Sequence, residues 1–431
     1  MPFSPPNLEK LAIRGGTPVR EKLLPYGRQS LSEDDIQAVT NVLRSDWLTT
    51  GPKVGEFEEA FAAWVGAKHA VSFSSGTAAL HGAAFAAGLG RGDEAITTPL
   101  TFCATANCIL YQGATPVFAD ICRDTLNLDP AAVLEKISSH TRAVLAVDYG
   151  GHPAALDELR SVAEQAGAML IEDSCHALGA EYRGRRVGSL ADMTIFSFHP
   201  VKHLTTGEGG MVTTDSPLLA ETLRRFKNHG VSSEARERQE AGQWFYEMAS
   251  LGFNYRLTDI ACALGLSQLG KLEANIARRG EIAAQYASGL RELASESGDR
   301  ACAITLPAVR EEANPAWHLY PIRINEAALA VGRAEIFRAL RAENIGVNVH
   351  YIPVYRHPYY QQHLPEACPA ESYPIAENAY ARLISLPMFH AMRDEDVEDV
   401  VHAIHKVIGH YATAEERVPA GAAGRFERGH V

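Results

Sequence analysis

The sequence predicts an α/β protein: a mostly parallel sheet covered by helices on both faces, followed by a smaller α+β unit. Between Ser75 and Asp215 short apolar runs alternate with helical patterns. Those runs are continuous rather than alternating in polarity, as strands buried on both faces require. Of 431 residues 46% are hydrophobic and 21% charged, a globular balance that excludes disorder as the main state.

Ala70 to Phe73 is strand-like, and Ser75-Gly76-Thr77 then opens a small-residue helix, AALHGAAFAAGLG, that stops at Gly88 and Gly90 as C-cap chemistry requires. Further strands are expected at Ala95 to Thr98, Thr115 to Asp120, Arg142 to Val147, Ala168 to Glu172, Asp192 to Phe198 and Gly210 to Thr214. Helices are expected at Thr101 to Gln112, from the Asp129 N-cap and Pro130 to Ser138, and at Ala154 to Ala166. Beyond Thr258 an alanine-rich helical stretch runs to about Glu292, with breaks at Gly265 and Gly270. The second unit reads as a strand at His318 to Ile324, a helix at Ala334 to Glu343 and a strand at Val347 to Ile352. A last helix carries Val397, Val400, Ile404 and Val407 on one face. Glu415 to Val431 lacks periodicity and reads as a mobile tail.

With 40 Lys+Arg against 52 Asp+Glu, the net charge of −12 argues against nucleic acid or an anionic membrane as the main partner. Seven cysteines, odd in number and without a C-x-x-C pair, read as core thiols of a reducing compartment. No apolar run is long enough to span a bilayer, and the start, MPFSPPNLEKLAIRGG, lacks a signal-peptide pattern. The expectation is a cytoplasmic soluble protein.

In parallel sheets ligands sit beyond the carboxyl ends of the strands, so the polar residues there come first. Ser74-Ser75-Gly76-Thr77 joins a strand to a helix; its hydroxyls, glycine and helix-start N–H groups make a phosphate cup. Alone it would be an ordinary N-cap. In Ile171-Glu172-Asp173-Ser174-Cys175-His176 an aspartate closes an apolar strand. It could be a cap or a buried structural anion, or it could face a pyridine nitrogen and keep it protonated. Lys202 follows a buried strand within SFHPVK and precedes the glycine-rich TTGEGG. Most lysines are solvated, but a desolvated amine has a lowered pKa and becomes a Schiff-base nucleophile. Cup, ring-facing acid and strand-end lysine, in that order on a parallel sheet, together describe pyridoxal 5′-phosphate (PLP).

The chain also resembles the DegT/StrS-type sugar aminotransferases from about Gly15 to Ile408. The resemblance rests on Leu48-Thr49-Thr50-Gly51-Pro52, SSGTAAL, IEDSCHALGA, SFHPVK with TTGEGG, Gly252-Phe253-Asn254-Tyr255-Arg256-Leu257-Thr258 and His350-Tyr351-Ile352-Pro353. SFHPVK with TTGEGG looks most like the pseudaminic-acid branch. The resemblance implies PLP fold type I, with the aspartate-aminotransferase architecture: a large domain with a mostly parallel seven-stranded sheet and a smaller C-terminal domain. The expected boundaries are residues 1–20 as an N-terminal segment, 21–270 as the PLP-binding domain, 271–412 as the small domain and 413–431 as a flexible tail.

Carried over by position, it gives Lys202 the covalent aldimine and Asp173 the pyridinium contact. Ser75, Gly76, Thr77 and Ser197 would hold the phosphate, while Phe102 and His176 would lie against the ring. Asn254 would reach the neighbouring subunit's phosphate site, so that a homodimer shares its active sites. Thr50, Arg256, His318, Tyr320, His350 and Tyr351 fall towards the sugar nucleotide; no metal is implied. The stacking position is Phe102 where other members have Tyr or Trp. The implied reaction moves an amino group from L-glutamate to C4 of a UDP-4-keto-6-deoxy-N-acetylhexosamine, as in pseudaminic acid-type amino sugar synthesis. A dTDP-linked 3- or 4-keto hexose as substrate, and a non-catalytic PLP-binding regulator, remain alternatives.

Overall fold

Strand β1 (His69–Phe73) begins the main sheet of the computed structural model, which describes residues 10–232, 238, 241–294 and 302–412. The tail expected at 413–431 and residues 1–9 of the N-terminal segment lie outside the described residues. Two helices precede β1: α1 (Glu33–Leu43), with a Ser32/Asp35 capping box, and α2 (Pro52–Val65), with proline in its first turn. The chain continues through α3 (Gly76–Ala86), β2 (Glu94–Thr97), α4 (Ala104–Tyr111), β3 (Thr115–Phe118), α5 (Pro130–Lys136), β4 (Thr141–Val147), α6 (Leu156–Gln165) and β5 (Met169–Asp173). Two-residue strands β6 (Glu181–Tyr182) and β7 (Arg185–Arg186) lead to β8 (Met193–Ser197), β9 (Gly210–Thr214) and α7 (Pro217–Lys227).

All of these strands except β6 and β7, which pair with each other, form a seven-stranded sheet in the order β1-β9-β8-β5-β4-β2-β3. Neighbours are parallel except at β9, which runs antiparallel to both β1 and β8. Both faces are covered, which explains the continuous apolar runs. On one side Val71, Phe73, Leu145, Ile171 and Val212 pack against α3, α4 and α7. On the other, Phe196 and Met211 meet Phe57 and Phe61 of α2, and Val144 and Leu170 meet Leu159 of α6. Strands β1, β5 and β8 are mutually parallel, so Ser74, Asp173 and Ser197 emerge on one edge of the sheet.

The alanine-rich stretch forms α8 (Asp259–Leu269) and α9 (Leu272–Gly289). The break expected at Gly265 is absent. That glycine is needed for packing: a Cβ there would lie 2.6 Å from the Phe57 ring, so α8 can press against α2 only without one. Gly270 does end α8.

The remaining elements are β10 (Ile304–Thr305), β11 (Ala313–Asn314), β12 (Tyr320–Ile324), α10 (Arg333–Ala342), α11 (Pro358–His363), α12 (Pro374–Arg382), β13 (Leu383–Leu386) and α13 (Asp394–Tyr411). A second sheet of order β10-β12-β13 shares a core with α9, α10 and α13. Leu11 and Leu24 join this core, and Glu343 accepts from the N–H groups of Ala12 (2.8 Å) and Val19 (3.0 Å). The strand expected at Val347 to Ile352 does not form; only Asn348 bridges to Ser385. Asn348 Oδ1 accepts from the N–H of Val349 (2.8 Å), and His350 Nδ1 lies 2.9 Å from Ser385 Oγ. Local side-chain bonds replace the ladder, and β13 takes the third place in the sheet.

Candidate active site

The strand-end edge of the large sheet gathers most of the chemistry expected from the sequence. Ser75 caps α3, its Oγ accepting from Ala78 N–H at 3.1 Å. The first turn of a helix leaves N–H groups without intrahelical acceptors, which favours an anion. Gly76 begins α3 directly against the end of β8. A Cβ there would stand 2.9 Å from Ser197 Cβ and 3.1 Å from Ser197 Oγ. Only glycine allows this cradle to close with the Ser197 hydroxyl beside the turn that also carries Thr77.

Asp173 ends β5 and is buried. Its Oδ2 accepts from Thr105 Oγ1 (2.8 Å) and its Oδ1 from Cys175 N–H (3.2 Å), fixing the carboxylate plane. Next to it lie two buried acids. Asp148 accepts from Ser174 Oγ and from Ala154 N–H (2.8 Å), and Glu172 accepts from Thr194 Oγ1 (2.8 Å). Burial and the Asp148 charge push Glu172 well above the usual carboxylate range, so this pair retains a proton.

Lys202 lies in the turn after β8, its N–H donating to His199 O (2.9 Å). Its Nζ is 3.3 Å from His318 Nε2. Burial brings the amine down to about 8, although Cys175 and Asp173 oppose the shift. His318 and His176 are both buried, with ring centroids 4.5 Å apart, and neither Nδ1 finds a hydrogen-bond partner among the described residues. Burial first, then the Lys202 charge, holds both imidazoles well below their usual pKa and therefore neutral. His176 Nε2 meets Tyr351 Oη at 3.0 Å, and the Tyr351 ring centroid is 6.1 Å from that of the exposed Phe102. His350, next to Tyr351, is anchored on Ser385.

Other expected residues sit elsewhere. Tyr320 is buried on β12, its ring near those of Tyr286 (5.1 Å) and Trp317 (5.4 Å). A strand alternates faces, and this position turns inward. Asn254 is exposed, bridged through its backbone to Asn228. Arg256 donates through Nη1 to Asn228 Oδ1 (2.7 Å), and its buried Nε has no partner among the described residues. Ser74 N–H donates to Tyr255 O (2.8 Å), so this segment runs beside the start of α3. Thr50 adopts φ +55° in a loop tied down by Gly51 N–H to Asp259 Oδ2 (2.7 Å).

The sequence reading missed Thr105, Asp148 and Arg279. Each acts through segments far away in the chain, and none stands in a motif.

The donor set suits PLP: an anion cradle at a helix start, a carboxylate fixed at a strand end, and a desolvated lysine. Residues 29–405 match the DegT/DnrJ/EryC1/StrS aminotransferase family. The chain belongs to that family. SpsC, a spore coat polysaccharide biosynthesis protein of Bacillus subtilis, is 43% identical over 391 residues, covering 90% of this chain and 98% of SpsC. Among solved structures, PseC of Helicobacter pylori, an aminotransferase involved in the biosynthesis of pseudoaminic acid, superposes with a TM-score of 0.82. It is 33% identical, and the match covers 90% of this chain and all of PseC (100%). Spr1654 of Streptococcus pneumoniae in its PLP form also gives 0.82, at 30% identity over 91% of this chain and 100% of that one, and it is known in a PMP form too. Like these DegT/DnrJ/EryC1/StrS relatives, the protein is a PLP-dependent sugar aminotransferase of the α/β class expected from its sequence. Among its described residues no helix is long and apolar enough to cross a membrane.

Proposed function

We propose that Lys202 is the attachment point of PLP, and that the enzyme transfers the amino group of L-glutamate to C4 of a UDP-4-keto-6-deoxy-N-acetylhexosamine. One observation carries the catalytic assignment: a desolvated lysine amine 3.3 Å from a neutral histidine, at the sheet edge that also presents Asp173. When bound, PLP supplies the electron sink that makes the donor α-carbon acidic. Asp173, held by Thr105 and Cys175, keeps a negative charge at the ring nitrogen. Ser75, Gly76, Thr77 and Ser197 bind the phosphate, and Phe102 and His176 flank the ring. Lys202 Nζ removes the proton from the donor α-carbon and, in the second half-reaction, delivers one to C4 of the sugar. Positioned proton transfer of this kind contributes about 10²–10⁴-fold. His318 Nε2, 3.3 Å away, orients the Lys202 amine for this transfer.

Both substrates are anionic, and Arg256, with a guanidinium N–H that has no partner among the described residues, is suited to a carboxylate or phosphate. A homodimer completes the site. Asn254 follows an exposed stretch in which Trp244 (84% exposed), Phe245, Met248 and Leu251 present apolar surface that a second copy would cover. All seven cysteines are free, in keeping with a reducing cytoplasm. The likeness to PseC, an aminotransferase involved in pseudoaminic acid biosynthesis, supports a substrate of the pseudaminic-acid type. The higher identity to SpsC favours a second reading, in which another keto-sugar nucleotide is aminated by the same residues.

The test follows the visible absorption of the PLP-loaded protein as glutamate, then UDP-4-keto-6-deoxy-N-acetylglucosamine, is added. Loss of the band with stoichiometric 2-oxoglutarate, and its return with the sugar, is expected. A response to glutamate but not to this sugar leaves the second reading. Lys202→Ala should show neither change; transamination by that variant at near wild-type rate would refute the assignment.

A further inference from the structure

Arg279 on α9 is fully buried, yet no carboxylate pairs with it among the described residues. Among the described residues its guanidinium bonds only to carbonyls: Nη1 to Trp317 O (3.1 Å) and Met388 O (3.1 Å), and Nη2 to Val201 O (3.4 Å). Nε has no partner among the described residues. Two of the three carbonyls belong to the peptides immediately preceding Lys202 and His318, the pair in contact at 3.3 Å. Trp317 also holds φ +50°, a left-handed conformation costing about 1–2 kcal/mol outside glycine, so this peptide needs an external tie. A buried cation without a counter-ion is expensive and is retained where its charge is used.

We propose that Arg279 is a positioning residue for Lys202: its fork clamps the lysine loop to the His318 segment, and its positive charge adds to burial in disfavouring the Lys202 ammonium. This rests on Lys202 being the PLP attachment point. Arg279 acts on Lys202 against Asp173 and Cys175, which favour the ammonium; the other titratable groups facing Lys202 are His176, His203, His318 and His350, all held low by burial. Only the neutral amine has the lone pair to attack the PLP aldehyde. In that step Lys202 nitrogen gives up two hydrogens and the aldehyde its oxygen, leaving as one water as the C=N bond forms.

The full-length protein, freed of PLP, is mixed with PLP at pH values from 6 to 10, and the rate of covalent capture is read by absorbance. In the wild type the rate should rise with a midpoint near the Lys202 value, about 8. Arg279→Gln keeps donors but no charge and should move the midpoint up by about half a unit or more. Arg279→Lys keeps the charge but not the fork, so its midpoint should stay while kcat falls and KM holds. A midpoint in Arg279→Gln within about 0.2 units of wild type overturns the electrostatic role. If Arg279→Gln does not fold, Arg279→Lys decides: a shifted midpoint or an unchanged kcat overturns the proposal. Lys202→Ala separates the two readings, since capture by that variant would refute the attachment point itself and not merely the part played by Arg279.

Discussion

Replacing Gly76 by alanine tests whether the start of α3 and the end of β8 form one rigid cradle. The new Cβ would stand 2.9 Å from Ser197 Cβ and 3.1 Å from its Oγ, with Cys175 Sγ at an ordinary 3.5 Å. Carbon atoms settle at about 3.5–4.0 Å, so helix or strand must yield by roughly 0.5–1 Å. Overpacking of this kind costs about 1–3 kcal/mol. If the strain falls on the bound state, PLP affinity drops between about fivefold and about 150-fold, at about 1.4 kcal/mol per decade. If the fold absorbs it, Tm falls by about 2–4 °C per kcal/mol. PLP affinity by absorbance titration and Tm of the PLP-free protein divide the two shares. The cause is isolated by Ser197→Gly, which removes the opposing Cβ. In the Ser197→Gly background, Gly76→Ala should cost almost nothing, although the lost hydroxyl lowers affinity in both variants. An unchanged affinity and Tm in Gly76→Ala alone, or an equal cost in both backgrounds, would refute the argument.

Two further outcomes follow from buried charges. Glu58 accepts from Lys227 Nζ (2.8 Å), Ser72 N–H (2.8 Å) and Ser72 Oγ (2.7 Å). Burial alone would raise its carboxyl, but Lys227 and Ser72 outweigh it and hold the pKa below the usual value. Lys227→Met strands that carboxylate and should cost about 3–5 kcal/mol near neutral pH. Because the wild-type pKa is depressed, the pair's stabilisation is complete above the usual carboxylate pKa and is lost as pH falls through the folded value. The Tm gap between wild type and variant should therefore narrow as the pH falls below the usual carboxylate value of 4.5; a gap that stays constant through that range would count against it. Glu172, which keeps its proton, should tolerate Glu172→Gln with little change in Tm or PLP affinity. Glu172→Leu removes the hydrogen bond between the Glu172 and Asp148 carboxyls and should lose about 1–3 kcal/mol, and equal damage from Gln and Leu would show that the proton is not shared.

The linear order of residues determined everything that neighbours in sequence can express. Apolar runs located the strands of the large sheet, because a strand buried on both faces needs no partner to declare itself. Ser75-Gly76-Thr77, Asp173 and Lys202 were legible because each sits at a strand end, where side chains leave the core whatever the rest of the chain does. Helices α1 and α2 escaped notice, since short amphipathic patterns resemble loops until a sheet is there to receive them. Other features depended on packing between distant segments. Tyr320 turned inward once β12 found β13 and α9, and Val347 to Ile352 lost its strand to side-chain bonds around Asn348 and Ser385. Arg279 was one arginine among many until α9 brought it under the carbonyls of residues 201, 317 and 388. A buried charge acquires meaning from what surrounds it, and those surroundings exist only in the folded chain.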